Sequence, residues 1–189
     1  MQIWAGLGNP GASYALHRHN VGFMVADTIA EVHDFGPWQK KFRSLINEGR
    51  IGSHRVLLLK PQTFMNDSGD AVQQALRFYR LEVGALTAIH DELDLAPMKV
   101  KVRTGGGLAG HNGLRSIDAA LGPDFRRLRI GIGHPGDKDR VTGHVLGNYA
   151  RSEMEPLSDL LAAIASEAES LAAGDYVRFM NDVALRLQS

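Results

Sequence analysis

The chain has 189 residues, 44% of them hydrophobic, with 21 basic residues, 21 acidic residues and no cysteine. That length and apolar content suit one domain around one substantial core, residues 1–189. The cysteine count excludes a disulfide framework, a thiolate nucleophile and a cysteine zinc site and fits a reducing cytoplasm, and no apolar run reaches the ~20 residues of a membrane helix. Met1-Gln2-Ile3-Trp4-Ala5 has neither a basic n-region nor a long apolar h-region, so no signal peptide is expected. Ile3 to Leu7 reads as a short buried strand ended by Gly8 and Pro10. From Val21 the apolar residues Met24, Val25, Ile29 and Val32 recur at helical spacing, with Asn20 as the expected N-cap.

Leu45–Ile51 and Arg55–Leu59 look like paired strands around Gly52-Ser53-His54, and Pro61 ends the second. Val72, Ala75, Leu76 and Tyr79 mark a second helix capped by Asp67 or Ser68. Leu86–His90 is another buried strand. Met98–Arg103 alternates, with Lys99, Lys101 and Arg103 on one face and Met98, Val100 and Val102 on the other. A short helix over Gly113–Leu121 and a strand over Leu128–Ile132 follow. Leu157, Leu160, Leu161, Ile164, Ala168 and Leu171 predict one long amphipathic helix, and Val177, Met180, Ala184 and Leu187 the last one. Strands and helices interleave without a repeat or a linker. The expected fold is α/β, a single domain with a twisted mixed central β-sheet flanked by helices on both faces.

The charges cancel overall but not locally. Leu95 to Ile130 holds seven basic residues against two acidic ones, a net of +5, whereas Ser152 to Asp175 holds six acidic residues and no basic one. A local basic field can bind phosphates even when the total is zero.

Several familiar motifs fail on context. G-x-G-x-x-G occurs at Gly6/Gly8/Gly11, Gly105/Gly107/Gly110 and Gly131/Gly133/Gly136. None combines a strand before, a helix after and an acidic residue at the end of the next strand, as a dinucleotide site requires. G-x-x-x-x-G-K-[ST] and G-x-S-x-G are absent, which argues against a P-loop and a serine hydrolase. His17, His19, His90, Asp91 and Glu92 do not form a defined metal set, and no metal or cofactor is expected.

What remains is a set of polar and glycine segments at the ends of apolar runs, where α/β enzymes gather their chemistry. His19 just precedes a helix, whose N-terminus favours a neutral imidazole, the form a general base needs. Asp91, at the end of a buried strand, is the best acceptor to orient it. A carboxylate–histidine pair without a serine or cysteine nucleophile implies activation of water. On local sequence alone, the alternative of a loop histidine that caps backbone stands beside this one. Asn9, Asn66 and Asn112 supply neutral amides. Asn66 or Asn112 can donate to a developing oxyanion, or each can be a turn or cap residue. Lys101 and Arg103 suit phosphate contact, or they protect a solvated sheet edge.

Taken in order, Gly6-Leu7-Gly8-Asn9-Pro10-Gly11 with Tyr14 and Arg18-His19-Asn20, Lys60-Pro61-Gln62-Thr63-Phe64-Met65-Asn66, His90-Asp91-Glu92-Leu93-Asp94, Gly105-Gly106-Gly107 through Gly110-His111-Asn112-Gly113 and Arg127-Leu128-Arg129-Ile130-Gly131-Ile132-Gly133-His134-Pro135 closely resemble bacterial peptidyl-tRNA hydrolases. The resemblance spans roughly Met1 to Tyr149. It implies a cytoplasmic, monomeric, metal-independent esterase that cleaves the bond between a peptide and the 3′-terminal ribose of tRNA. It further implies His19 as base, Asp91 as its orienter, and Asn9 as the residue that distinguishes N-blocked substrates. Tyr14, Phe64, Asn66 and Asn112 would contact the substrate end, and Lys101, Arg103 and Arg129 the tRNA phosphates. Leu108-Ala109 and Asp67 depart from the usual pattern, and neither falls on an implied catalytic position. A non-catalytic RNA-binding module and a dinucleotide-dependent oxidoreductase are the competing readings.

Overall fold

The computed structural model describes residues 1–189. Its seven strands are β1 (Gln2–Gly6), β2 (Gln39–Lys41), β3 (Ser44–Ile51), β4 (His54–Pro61), β5 (Leu86–Glu92), β6 (Val100–Thr104) and β7 (Arg126–Gly131). They form one sheet in the order β2-β3-β4-β1-β5-β7-β6. The four central strands, β4, β1, β5 and β7, are parallel. The β2–β3–β4 pairings at one end and β6–β7 at the other are antiparallel. The helices are α1 (Val21–Val32), α2 (Ser68–Phe78), α3 (Asn112–Leu121), α4 (Val141–Val145), α5 (Met154–Ser166), α6 (Ala168–Ala172) and α7 (Tyr176–Gln188).

Strand alternation divides the core into two layers. Trp4, Val56, Leu58, Ile89, Leu128 and Ile130 pack with α1 and the C-terminal helices. Ile3, Ala5, Leu57, Leu59, Leu86 and Ala88 pack with α2 and α3 on the other face. The expected mixed sheet with helices on both faces is therefore present. The first glycine motif serves packing. A Cβ on Gly6 would lie 2.2 Å from the Gly22 carbonyl oxygen, so β1 and α1 approach too closely for any side chain there.

Four local expectations need correction. Asn20 precedes α1, but its side chain makes no cap bond; it is used by Asn9 instead, as described below. Met98 has a φ of +66° and Lys99 lies outside β6, so the alternating strand begins only at Val100. The single long helix near the C-terminus is two, α5 and α6, separated at Glu167. Ser170 donates its Oγ to the Glu167 carbonyl at 3.0 Å, the kind of local bond by which a serine competes with helix backbone. In α7 the buried side chains are Phe179 and Val183, while Val177 is 68% exposed. Of the expected stripe only Met180 packs inward, its sulfur accepting the Val102 N–H at 3.4 Å, while Ala184 and Leu187 are exposed and Phe179 and Val183 fill the core instead. Strand β2 and helix α4 were not anticipated, because three exposed polar residues and a five-residue turn carry no periodicity.

The parallel strands β1, β4, β5 and β7 end on one edge of the sheet. That edge receives Asn9, Thr63 to Asn66, Asp91 to Asp94 and the turn beyond β7.

Candidate active site

Asp91 is buried near the end of β5, and both its oxygens face histidines. His19 Nδ1 lies 2.9 and 3.0 Å from its two oxygens, and His111 Nε2 lies 2.8 Å from Oδ1. The network assigns the tautomers. His111 occupies the N-cap of α3, where its Nδ1 accepts the backbone N–H groups of Gly113 and Leu114 at 3.1 and 3.3 Å. Its proton is therefore on Nε2 and is donated to Asp91. His19 likewise donates Nδ1–H to the carboxylate, which leaves the Nε2 lone pair unengaged by any protein group. Burial pushes the Asp91 carboxyl up, but His111 and His19, through charge and hydrogen bonds, outweigh it and hold the group well below the usual carboxylate range.

The neighbouring His90 is also buried. Its Nδ1 donates to the Asp91 backbone carbonyl at 2.8 Å, and its ring meets that of His111 edge-on at 5.2 Å. Burial, reinforced by His111, pushes its pKa down to about 3 against the opposing pull of the Asp91 carbonyl. His90 is therefore a neutral wall.

Ligand atoms of His19, Asp91 and His111 lie within 4.8 Å of one another, a spacing that would accommodate a metal. The chemistry of the donor set does not fit one. His111 Nε2 carries a proton, because its Nδ1 is committed to two backbone N–H donors, and it has no lone pair to offer.

Asn9 is positioned by three further bonds. Its backbone N–H donates to Asn20 Oδ1 and its carbonyl accepts from Asn20 Nδ2, both at 2.9 Å. Its side-chain Oδ1 accepts the Met65 N–H at 2.8 Å, which orients the amide and leaves Nδ2 as a free donor. Asn20 thus couples the Asn9 loop to the turn that carries His19.

His19, Asp91, His111 and Asn112 line a cleft of about 180 Å³. Its apolar wall includes Leu93, Leu108, Val145 and Leu146. Tyr14 and the exposed Phe64 meet edge-to-face with ring centroids 6.1 Å apart, outside that cleft. Asn66 is exposed on the turn before α2, and Asp67 beside it is exposed as well. A second, smaller pocket of about 100 Å³ shares Glu92 and Ala109 with the first. It is lined by Arg103, Arg127 and Arg129, with Glu92 and Asp94. Pairing of Lys101 with Arg129 and of Arg103 with Arg127 puts these four cations on one face of the β6–β7 edge. Val100 and Val102 turn to the opposite face, against the C-terminal helices.

The chain thus brings His19, Asp91 and Asn112 into one cleft, ties Asn9 to the same turn, and gathers Lys101, Arg103 and Arg129 on an adjoining face. Tyr14, Phe64 and Asn66 stay at the periphery. Sequence reasoning missed the parts played by His111, Asn20, Glu92 and Arg127. The signal for His111 was present, since it stands just before a helix start, but histidine is not among the usual N-caps. Arg129 donates to Glu92 Oε1 at 3.0 Å, a contact between strands that sequence spacing does not reveal.

A mixed α/β sheet whose parallel centre delivers a carboxylate-bound imidazole to a cleft, with no hydroxyl or thiol bonded to its free nitrogen, defines a hydrolytic enzyme class. The family description for peptidyl-tRNA hydrolase matches residues 3–189. The peptidyl-tRNA hydrolase of Novosphingobium aromaticivorans is 70% identical over 100% of this chain and 99% of its own. That of Sphingopyxis alaskensis is 69% identical over 100% of both chains. The crystal structure of peptidyl-tRNA hydrolase from Acinetobacter baumannii superposes with a TM-score of 0.90 at 40% identity, covering 97% of this chain and 94% of that one. The chain belongs to the peptidyl-tRNA hydrolase family and is a hydrolase.

Proposed function

We propose that the chain hydrolyses the ester joining a peptide, or an N-blocked amino acid, to the 3′-terminal ribose of tRNA, with His19 as the base. The observation that carries the mechanism is the double anchoring of Asp91, which fixes the His19 ring and leaves Nε2 free. In this reading Nε2 takes a proton from water as the water oxygen attacks the ester carbonyl. Asp91 holds and stabilises the resulting imidazolium. As the carbonyl re-forms, the 3′-oxygen leaves and takes the proton from Nε2. The free Asn9 Nδ2 and the Asn112 amide in the cleft are the donors available to the substrate carbonyls. A donor aimed at the oxyanion contributes about 3–4 kcal/mol in comparable hydrolases. Asn9 discriminates against a free amino group, while Tyr14, Phe64 and Asn66 bind the substrate end beyond the cleft. Lys101, Arg103 and Arg129 receive tRNA phosphates. No helix is long and apolar enough to cross a membrane, and the enzyme works as a cytoplasmic monomer without a metal.

The test compares N-acetyl-aminoacyl-tRNA with free aminoacyl-tRNA in the presence of EDTA, using wild type and His19→Ala. Cleavage of the blocked substrate alone, abolished by the substitution, is the expected result. Cleavage that survives His19→Ala would remove His19 as the base, and loss in EDTA would remove metal independence.

A further inference from the structure

The arginine pocket contains a group that phosphate contact alone does not explain. Arg127 is 2% exposed, yet it has only one hydrogen bond, from Nη1 to the Gly107 carbonyl at 2.6 Å. Its Nε and Nη2 are buried without a partner. The guanidinium lies 4.5 Å from the centre of the Phe125 ring. Burial lowers its proton affinity, Asp118 and Glu92 oppose that, and Arg103 and Arg129 add to it. A buried cation with unsatisfied donors is costly, so its retention calls for a role.

Arg127 grips the loop that runs from Gly105 to Gly110. Gly105, Gly106, Ala109 and Gly110 all have positive φ, so the loop belongs to no regular element. Arg103 covers it from outside, since a Cβ on Gly106 would lie 2.6 Å from Arg103 Cζ. The residue after Gly110 is His111, which donates to Asp91. The arginines are therefore linked to the catalytic carboxylate through the Gly107 carbonyl, the backbone from Gly107 to His111, and the His111–Asp91 hydrogen bond. The pocket that Arg127 lines shares Glu92 and Ala109 with the cleft.

We infer that Arg127 is a positioning residue that couples a phosphate group in the arginine pocket to the alignment of His111 and Asp91. A phosphate held by Arg103 and Arg129 supplies acceptors for the unsatisfied donors of Arg127. The better-anchored guanidinium then holds Gly107 more firmly, and His111 keeps Asp91 in the orientation that serves His19. This rests on the hydrolytic reading above and adds that the RNA phosphate raises turnover as well as binding.

The test uses N-acetyl-aminoacyl-adenosine, which carries the scissile ester and no phosphate. Its hydrolysis is followed with and without inorganic phosphate at constant ionic strength, chloride being the control. In wild type, phosphate should raise kcat several-fold with little change in KM. In Arg127→Lys, which keeps the charge but cannot both hold Gly107 and reach an anion, the stimulation should vanish, and kcat on full-length substrate should fall by roughly the same factor. Absence of stimulation in wild type, or pure competition by phosphate, overturns the inference without needing the variant. Stimulation that persists in Arg127→Lys removes Arg127 as the coupling group. Failure of wild type to cleave full-length N-acetyl-aminoacyl-tRNA would instead strike the underlying reading, so the two failures are distinct.

Discussion

The cleft around Asp91 and the arginine face of β6 and β7 adjoin, yet they are built on opposite principles. Around Asp91 the polar groups are largely matched: two imidazole donors converge on one carboxylate, and two backbone N–H groups fix the tautomer of the second imidazole. On the arginine face, Lys101 and Arg103 are exposed and Arg127 is under-satisfied. Chemistry needs groups in place before the substrate arrives, because reorganisation during the reaction raises the barrier. Recognition of a polyanion works in the reverse way, since cations left free in the unbound protein gain from releasing counterions on binding.

The sharpest way to break this comparison is Asp91→Asn. An amide cannot accept from both imidazoles as a carboxylate does, and it cannot stabilise the imidazolium. Turnover should fall by about 10⁴, as when the carboxylate of a hydrolase triad is neutralised. Steady-state kcat at saturating substrate checks this, and an unchanged value would sink the assigned role of Asp91.

On the other face, Lys101→Ala should act through binding. Removing one phosphate contact is expected to reduce the slope of log K against log salt by about 0.7–0.9 while leaving kcat near wild type. Titration of affinity over a range of chloride concentrations measures it, and a parallel salt dependence would assign Lys101 to edge protection instead.

A further effect concerns stability. His90 has a folded pKa of about 3 against an ordinary value of 6.5. Because the folded value is depressed, its contribution is fully present above the unfolded pKa and is lost as pH falls from about 6.5 toward 3. Over that window the unfolded state binds one more proton, worth about 1.4 kcal/mol per pH unit. His90→Asn should flatten the pH dependence of the denaturation midpoint by about that amount, even if it lowers stability overall. A slope identical to wild type would show that His90 titrates normally in the folded chain.

Much of the architecture was legible because it follows from local pattern. Strand β1 with its following helix, the β3–β4 hairpin, and the apolar run of β5 all lie within a residue or two of where periodicity and turn chemistry put them. The candidate base and its carboxylate were legible as well, as polar residues stranded at the ends of apolar runs. The C-terminal helices were not. Their sequence offers more than one apolar stripe, and a neighbour in space, rather than spacing, selects the stripe that is buried.

The sequence by itself determined the alternation of strands and helices, the basic field between Leu95 and Ile130, and the absence of a thiol or serine-elbow nucleophile. It did so because hydrophobic period, charge and residue type are local properties. Only the tertiary structure decided that Asp91 serves two histidines, that the Asn9 side-chain oxygen is taken by the Met65 N–H, and that Arg127 holds the loop leading to His111. Each depends on atoms at least twenty residues apart, and hydrogen bonds over such separations are set by how the strands pair and not by the chain that precedes them.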